Sequence, residues 1–272
     1  MDSKISFLCK KMNISIDRIR YKRSDKNILI SNGRKNMYYA VADIHGCYDK
    51  FVKLLNIINF SNEKDILFVV GDAVDRGKDG IKVLQLMMQN DHIVPIMGNH
   101  DCMAYEILIQ FEEKIIAGSE RIRYRHLKGV LPICGYWFSQ GGMPTLKGYT
   151  KLKLKERNEL LKYMGDFLPV FELEVNGNRF ALLHAGISDF DKDKSLWDYP
   201  VDSFLYERMD YDRKYYDDVY IISGHTPTDI IDKEYEGRIF KKNNHIAIDC
   251  GAYWGKPLGC ICLDTLEEFY SN

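Results

Sequence analysis

From Met37 onward, continuous apolar runs alternate with segments whose apolar residues recur every three or four positions. "MYYAVAD" (Met37–Asp43), "DILFVVGD" (Asp65–Asp72) and "HIVPIMGN" (His92–Asn99) are runs of the kind that form strands buried on both faces. Between them, "DKFVKLLNIINF" places Phe51, Leu54, Leu55 and Ile58 on one helical stripe, with Asp49 positioned to cap it. "GIKVLQLMMQN" does the same with Ile81, Leu84 and Met88. A third helix is expected to carry Met103, Ile107, Leu108, Phe111 and Ile115. The order βαβαβα predicts an α/β fold with parallel strands.

The rhythm breaks at about 118–150, a Gly-, Arg- and Tyr-rich stretch that reads as an insertion or lid beside the sheet. It contains the basic run "RIRYRHLKG", expected to be either a solvated loop or a surface for acidic or nucleotide substrates. Four short runs follow with little helix between them: "RFALLHAG", "VYIISGHT", "HIAIDCGA" and "GCICLD". They predict a second sheet packed on the first. Residues 1–35 are charged and irregular, with an Asn32-Gly33 turn signal, and read as a lead-in or first hairpin. The expected layout is this lead-in followed by one domain, 36–272.

With 272 residues and 46% hydrophobic content, the chain can bury one large core. A net charge of −1 gives no long-range attraction to nucleic acid or to an anionic membrane. No apolar run approaches the roughly 20 residues of a membrane span, and no signal peptide is read at the N-terminus. The seven cysteines form no CxxC pair and are expected to be reduced thiols in a cytoplasmic protein. Cys260 and Cys262 should point to one face of their strand.

Polar residues collect where the apolar runs stop. The first run ends in Asp43 and His45, the second in Asp72, Asp75 and Arg76, the third in Asn99, His100 and Asp101. Later runs deliver His184 and His225. Carboxyl ends of strands are where ligands gather in open α/β sheets, and a glycine beside nearly every one of these residues permits tight turns. Mixed nitrogen and oxygen donors in this number exceed what one metal needs. They suit two borderline metals sharing a bridging carboxylate. His92, His126 and His245 lack a glycine-flanked strand end and are not assigned.

In order, "DIHG", "GDAVDRG", "GNHD", "LLHAG" and "SGHTP" resemble the motifs of the phosphoprotein phosphatase family within the calcineurin-like metallophosphoesterases. The likeness runs from about Tyr38 to Asp264, and "WFSQGG" and "IDCGA" are similar to stretches of bacterial and phage serine/threonine phosphatases. It implies a sandwich of two mixed β-sheets flanked by helices, with metals at the strand C-terminal ends. By resemblance, Asp43, His45 and a bridging Asp72 would hold one metal; Asp72, Asn99, His184 and His225 would hold the other. His100 would be the general acid, Asp75 its orienting partner and Arg76 a phosphate-binding arginine. A second such arginine is placed at Arg208, in "FLYERMDY", with Arg213 as the fallback.

The implied activity is hydrolysis of phosphoserine and phosphothreonine in proteins by a metal-bridging hydroxide. Manganese is the first candidate metal in vitro, with iron or zinc as alternatives. Two departures bear on this. Ala42 stands where the first motif normally begins with glycine, and Asp101 stands where protein phosphatases carry glutamate. Aspartate at that place is familiar from symmetrical dinucleoside polyphosphate hydrolases. Those relatives usually lack the acid that this chain keeps at Asp75. The phosphoprotein reading is therefore preferred, and a nucleotide substrate, dinucleoside polyphosphate or RNA cap, is the alternative.

Overall fold

The computed structural model describes residues 36–113, 119, 120, 122 and 134–272. The lead-in, Ile115 and all of the basic run except Ile122 lie outside the described residues. The first three runs are strands β1 (Tyr38–Val41), β2 (Ile66–Val70) and β3 (Ile93–Ile96), paired in parallel in that order. Helices α1 (Tyr48–Ile57), α2 (Gly80–Met88) and α3 (Asn99–Phe111) follow them one by one. Asp49 does not cap α1: the cap position is Cys47, and Asp49 lies in the first turn, where its charge still suits the helix dipole.

The strands are apolar at every position because each face meets a different core. Tyr39, Val41, Leu67 and Val69 pack toward the helices with Phe51, Leu54 and Leu84. Ala40, Phe68 and Val70 pack the other way, against Phe180, Leu182, Ile222 and Ile246 of a second sheet. That sheet has the order β4–β5–β6–β8–β7. Its strands are β4 (Val170–Val175), β5 (Asn178–Leu183), β6 (Val219–Ser223), β7 (Phe240–Lys242) and β8 (His245–Ala247). β5, β6 and β8 are parallel, and the edges are antiparallel.

One expectation is corrected. "GCICLD" forms β9 (Leu258–Cys262), which pairs antiparallel with β1 in the first sheet, with β10 (Glu268–Ser271) beyond it. Its alternation fits both cores: Cys260 and Cys262 face the helices while Ile261 faces the second sheet. Both sheets are therefore mixed.

Of the stretch read as an insertion or lid, the described part carries both buried and exposed side chains. Residues 134–139 are helical and Met143–Tyr149 forms α4; beyond the stretch, Leu154–Gly165 forms α5. Trp137 and Tyr149 are fully buried in the helix-side core. Among the described residues no helix is long and apolar enough to cross a membrane.

Candidate metal centre

The loops after β1 and β2 continue the strand ladder past its formal end. The amides of Asp43, His45 and Gly46 donate to the carbonyls of Gly71, Asp72 and Ala73 at 3.0, 2.8 and 3.0 Å. The chain must turn sharply to do this. Asp43, His45, Asp72, Asp75, Arg76 and His225 all have φ between 44 and 67°, a region non-glycine residues rarely occupy and one that clusters at functional sites. Two glycines are required by space. A Cβ on Gly71 would fall 2.2 Å from His184 Nδ1, and one on Gly98 would fall 2.2 Å from Asp72 Oδ1.

Asp101 clamps this turn. Its Oδ2 accepts from the amides of Asp72 (2.7 Å) and Gly98 (3.1 Å), and its Oδ1 from that of Ala73 (3.0 Å). Burial, then the Asp72 charge, push the Asp101 carboxyl up to about 8, while the amides pull the other way. Removing it leaves three buried donors without partners. Asp101→Ala is expected to cost about 3 kcal/mol, since each orphaned buried donor costs about 1–3 kcal/mol. Thermal unfolding checks this, and an unchanged midpoint would exclude the clamp.

The imidazoles have defined tautomers. His45 Nδ1 lies 3.0 Å from the Val74 carbonyl and His184 Nδ1 lies 3.1 Å from the Val70 carbonyl. A carbonyl only accepts, so both Nδ1 atoms carry hydrogen. Burial lowers the pKa of both rings, His45 to about 3, which favours their neutral forms. Each Nε2 is then an acceptor, and that of His45 already takes the Arg76 Nη1–H. Both lie beside Asp72: His45 Nε2 is 3.4 Å from Oδ2 and His184 Nε2 is 3.4 Å from Oδ1. Asn99 Oδ1 faces His184 Nε2 at 3.0 Å and His225 Nδ1 at 3.1 Å. Asp43 Oδ1 is 3.8 Å from His45 Nε2, and its Oδ2 accepts from the His225 amide.

Acceptors thus face acceptors on both sides of one carboxylate. Asp43, Asp72, His45 and His184 are all buried, and two sets of donors are close enough to share one ion: His45, Asp72 and His100, and Asp43, Asp72 and His184. Burial, Asp249 and Asp72 raise the Asp43 pKa well above its ordinary value. Cations between these groups would remove the repulsion, and neutral imidazoles oriented by backbone carbonyls are the usual form of metal ligands. The residues present fit two metal ions.

Beside the cluster, His100 Nδ1–H donates to Asp75 Oδ2 at 2.9 Å. Burial pulls the His100 pKa down, but the Asp72 charge and the Asp75 hydrogen bond outweigh it and raise the net value. Arg76 donates Nη1–H to His45 Nε2 (2.8 Å) and Nη2–H to His100 Nε2 (3.0 Å). Arg208 is exposed, with its backbone against Gly186, and its charge helps lower the pKa of His225 behind burial and His184. Arg213 is engaged elsewhere, its guanidinium 5.0 Å from the Phe190 ring and 4.9 Å from that of Tyr215.

Four residues of the site were not singled out from sequence as parts of it. Trp137 Nε1–H donates to Asp75 Oδ2 at 2.7 Å, and Thr145 Oγ–H donates to Oδ1 at 2.6 Å. Asp101 stands at the end of the third apolar run and departs from a motif, and neither observation gives it a role. Asp249, buried beside Asp43 and pushed up to about 6 by burial, follows the end of β8. The signal used for the others, a carboxylate just past an apolar strand, also fits it.

The profile of the family described as calcineurin-like phosphoesterase matches residues 38–229. Serine/threonine-protein phosphatase 2 of Salmonella typhimurium is 28% identical over 172 residues, 62% of this chain and 67% of that protein. A symmetrical bis(5'-nucleosyl)-tetraphosphatase of Wigglesworthia glossinidia brevipalpis is 42% identical over 65 residues, only 24% of the length of either protein. The crystal structure of a candidate diadenosine tetraphosphatase shares the fold, with a TM-score of 0.57 and 16% identity over 88% of this chain and 94% of that one.

Proposed function

Because the chain belongs to the calcineurin-like phosphoesterase family, we propose that it is a metal-dependent phosphomonoesterase that hydrolyses phosphoserine and phosphothreonine in proteins. One observation carries the choice of substrate: the buried pair His100–Asp75 at 2.9 Å, with Asp75 held in turn by Trp137 and Thr145. A serine or threonine alkoxide is a strongly basic leaving group and needs a proton in the transition state. A nucleoside diphosphate is weakly basic and needs one far less. The match to the Salmonella typhimurium phosphatase over 172 residues supports the same choice.

Asp43, His45 and Asp72 would hold one cation, and Asp72, Asn99, His184 and His225 the other. When bound, the cations supply Lewis-acid charge and activate a water at neutral pH. Arg76 binds two phosphate oxygens through parallel N–H donors, a geometry lysine matches poorly. Arg208, from the connection between β5 and β6, is the second arginine on phosphate. With Arg76 drawn onto phosphate, His100 Nε2 is freed to carry a proton. The Asp75 carboxylate stabilises that charged imidazole, and His100 hands the proton to the leaving oxygen.

A second reading, cleavage of dinucleoside polyphosphates, rests on Asp101 and on the 42% identity to the tetraphosphatase over 65 residues. A substrate panel with manganese decides between them. The expected kcat/KM on a phosphoserine peptide exceeds that on diadenosine tetraphosphate by about 10-fold or more, a gap of about 1.4 kcal/mol. The reverse preference would replace the first reading with the second.

A further inference from the structure

Past Asp249 the chain makes a tight turn, Ala252–Trp254, between Gly251 at φ 81° and Gly255 at φ 85°. The turn is fixed from several directions. Lys50 of α1 donates from Nζ to the carbonyls of Ala252 (3.0 Å) and Lys256. The Trp254 amide donates to the Gly251 carbonyl at 2.9 Å. Lys256 is paired with Asp229 at 2.6 Å and Glu236 at 3.2 Å.

On this anchored turn two aromatic side chains are left in solvent. Trp254 is 62% exposed and Tyr253 39%. Their rings meet edge to face, with centroids 5.0 Å apart. The Trp254 ring centroid lies 5.9 Å from Arg76 Cζ. That guanidinium also reaches His45 and His100. Exposing a large ring costs solvation without gain for the fold. Holding it on a pinned turn makes a surface that loses little entropy when something stacks on it.

We infer that Trp254, flanked by Tyr253, is a specificity residue for a further class of substrate beyond phosphoserine and phosphothreonine: phosphate esters whose planar aromatic ring lies one short linker from the scissile phosphate and stacks on the indole. The inference rests on the reading above in taking Arg76 as the phosphate anchor. The ring chemistry is shared by two sources, an aryl phosphate such as phosphotyrosine and the nucleobase of a nucleotide. Arginine over tryptophan then serves both ends of the ligand: the guanidinium takes the phosphate and the indole takes the ring.

Binding of non-reacting probes tests this without turnover. Calorimetry would compare phenylphosphonate with methylphosphonate, and adenosine 5'-monophosphate with ribose 5-phosphate, in the presence of manganese. The wild type is expected to bind at least one ring-bearing probe about 10-fold more tightly than its ringless partner. Trp254→Ala should erase that gap while leaving the ringless probes within about twofold, and Trp254→Phe should keep most of it. The pair that loses its gap identifies the ring source. No ring preference in the wild type, a preference that survives Trp254→Ala, or an equal loss on ringless probes would overturn the inference. Inactivity on phosphopeptides would count against the proposed reaction and leave this binding result standing.

Discussion

Asp72→Asn is expected to lower kcat/KM by more than about 10³-fold, toward the level of wild type stripped of metal by a chelator. The estimate exceeds the roughly 10²–10³-fold cost of losing one preorganised electrostatic partner, because Asp72 faces two clusters at once. Its two oxygens lie 3.4 Å from Nε2 of His45 and Nε2 of His184. Oδ1 also accepts from the His100 amide at 3.0 Å. An asparagine has only one acceptor oxygen. If that oxygen keeps the His100 amide, the NH₂ group points to the His45 side. If it turns, the NH₂ group opposes the His100 amide and the His184 side. Either orientation spoils one metal position and removes a full negative charge from both. Asp43→Asn should be milder, since the proposed ligand set assigns Asp43 to one cation only, with a loss of roughly 10²-fold. Metal content measured beside turnover makes the comparison sharp. An Asp72→Asn protein that keeps two metals and near-normal turnover would end its role as the bridge.

The rim of the site was legible because strands buried on both faces give continuous apolar runs, and a polar residue at the end of such a run is conspicuous. Asp43, Asp72 and His184 are read that way, and the fold places them within reach of a single ion. The same logic could not assign β9 to a sheet. Leu258–Cys262 is buried at every position, as a strand in either sheet would be, and only its pairing with β1 decides the matter. β4 escaped for the opposite reason: a half-buried edge with an alternating pattern, it presents no apolar run. Trp137 and Thr145 lie 62 and 70 residues from Asp75. A tryptophan and a threonine on short helices carry no sign of a distant carboxylate. Their stretch, rich in glycine and arginine, reads as an insertion or lid, and Trp137, Thr145, Leu146 and Tyr149 within it are buried. Arg76 was legible as a fixed cation near acids, but its bridge between His45 and His100 is a product of the left-handed turn at Asp75 and Arg76.

That buried network sets the second large effect. His100→Asn should keep both metals and lower kcat on a phosphoserine peptide by about 10²–10⁴-fold, the usual worth of a positioned general acid. KM should change little, because the proton moves only in the transition state. The deficit should shrink on p-nitrophenyl phosphate, whose leaving group is acidic enough to depart without a proton. Asp75→Asn should show a weaker form of the same pattern, since the imidazolium loses its charged partner. Trp137→Phe probes the next link. It removes the N–H that shares Asp75 Oδ2 with His100 while keeping most of the buried ring volume. With Thr145 still holding Oδ1, Asp75 is loosened and not lost, so the loss should be smaller than for Asp75→Asn and should carry the same leaving-group dependence. A side chain needed only for folding would lower both substrates equally. The measurement is therefore the ratio of rates on the phosphoserine peptide and p-nitrophenyl phosphate in wild type, His100→Asn, Asp75→Asn and Trp137→Phe. A ratio that stays constant across the series would remove His100 from the general-acid role and reduce Asp75 and Trp137 to packing.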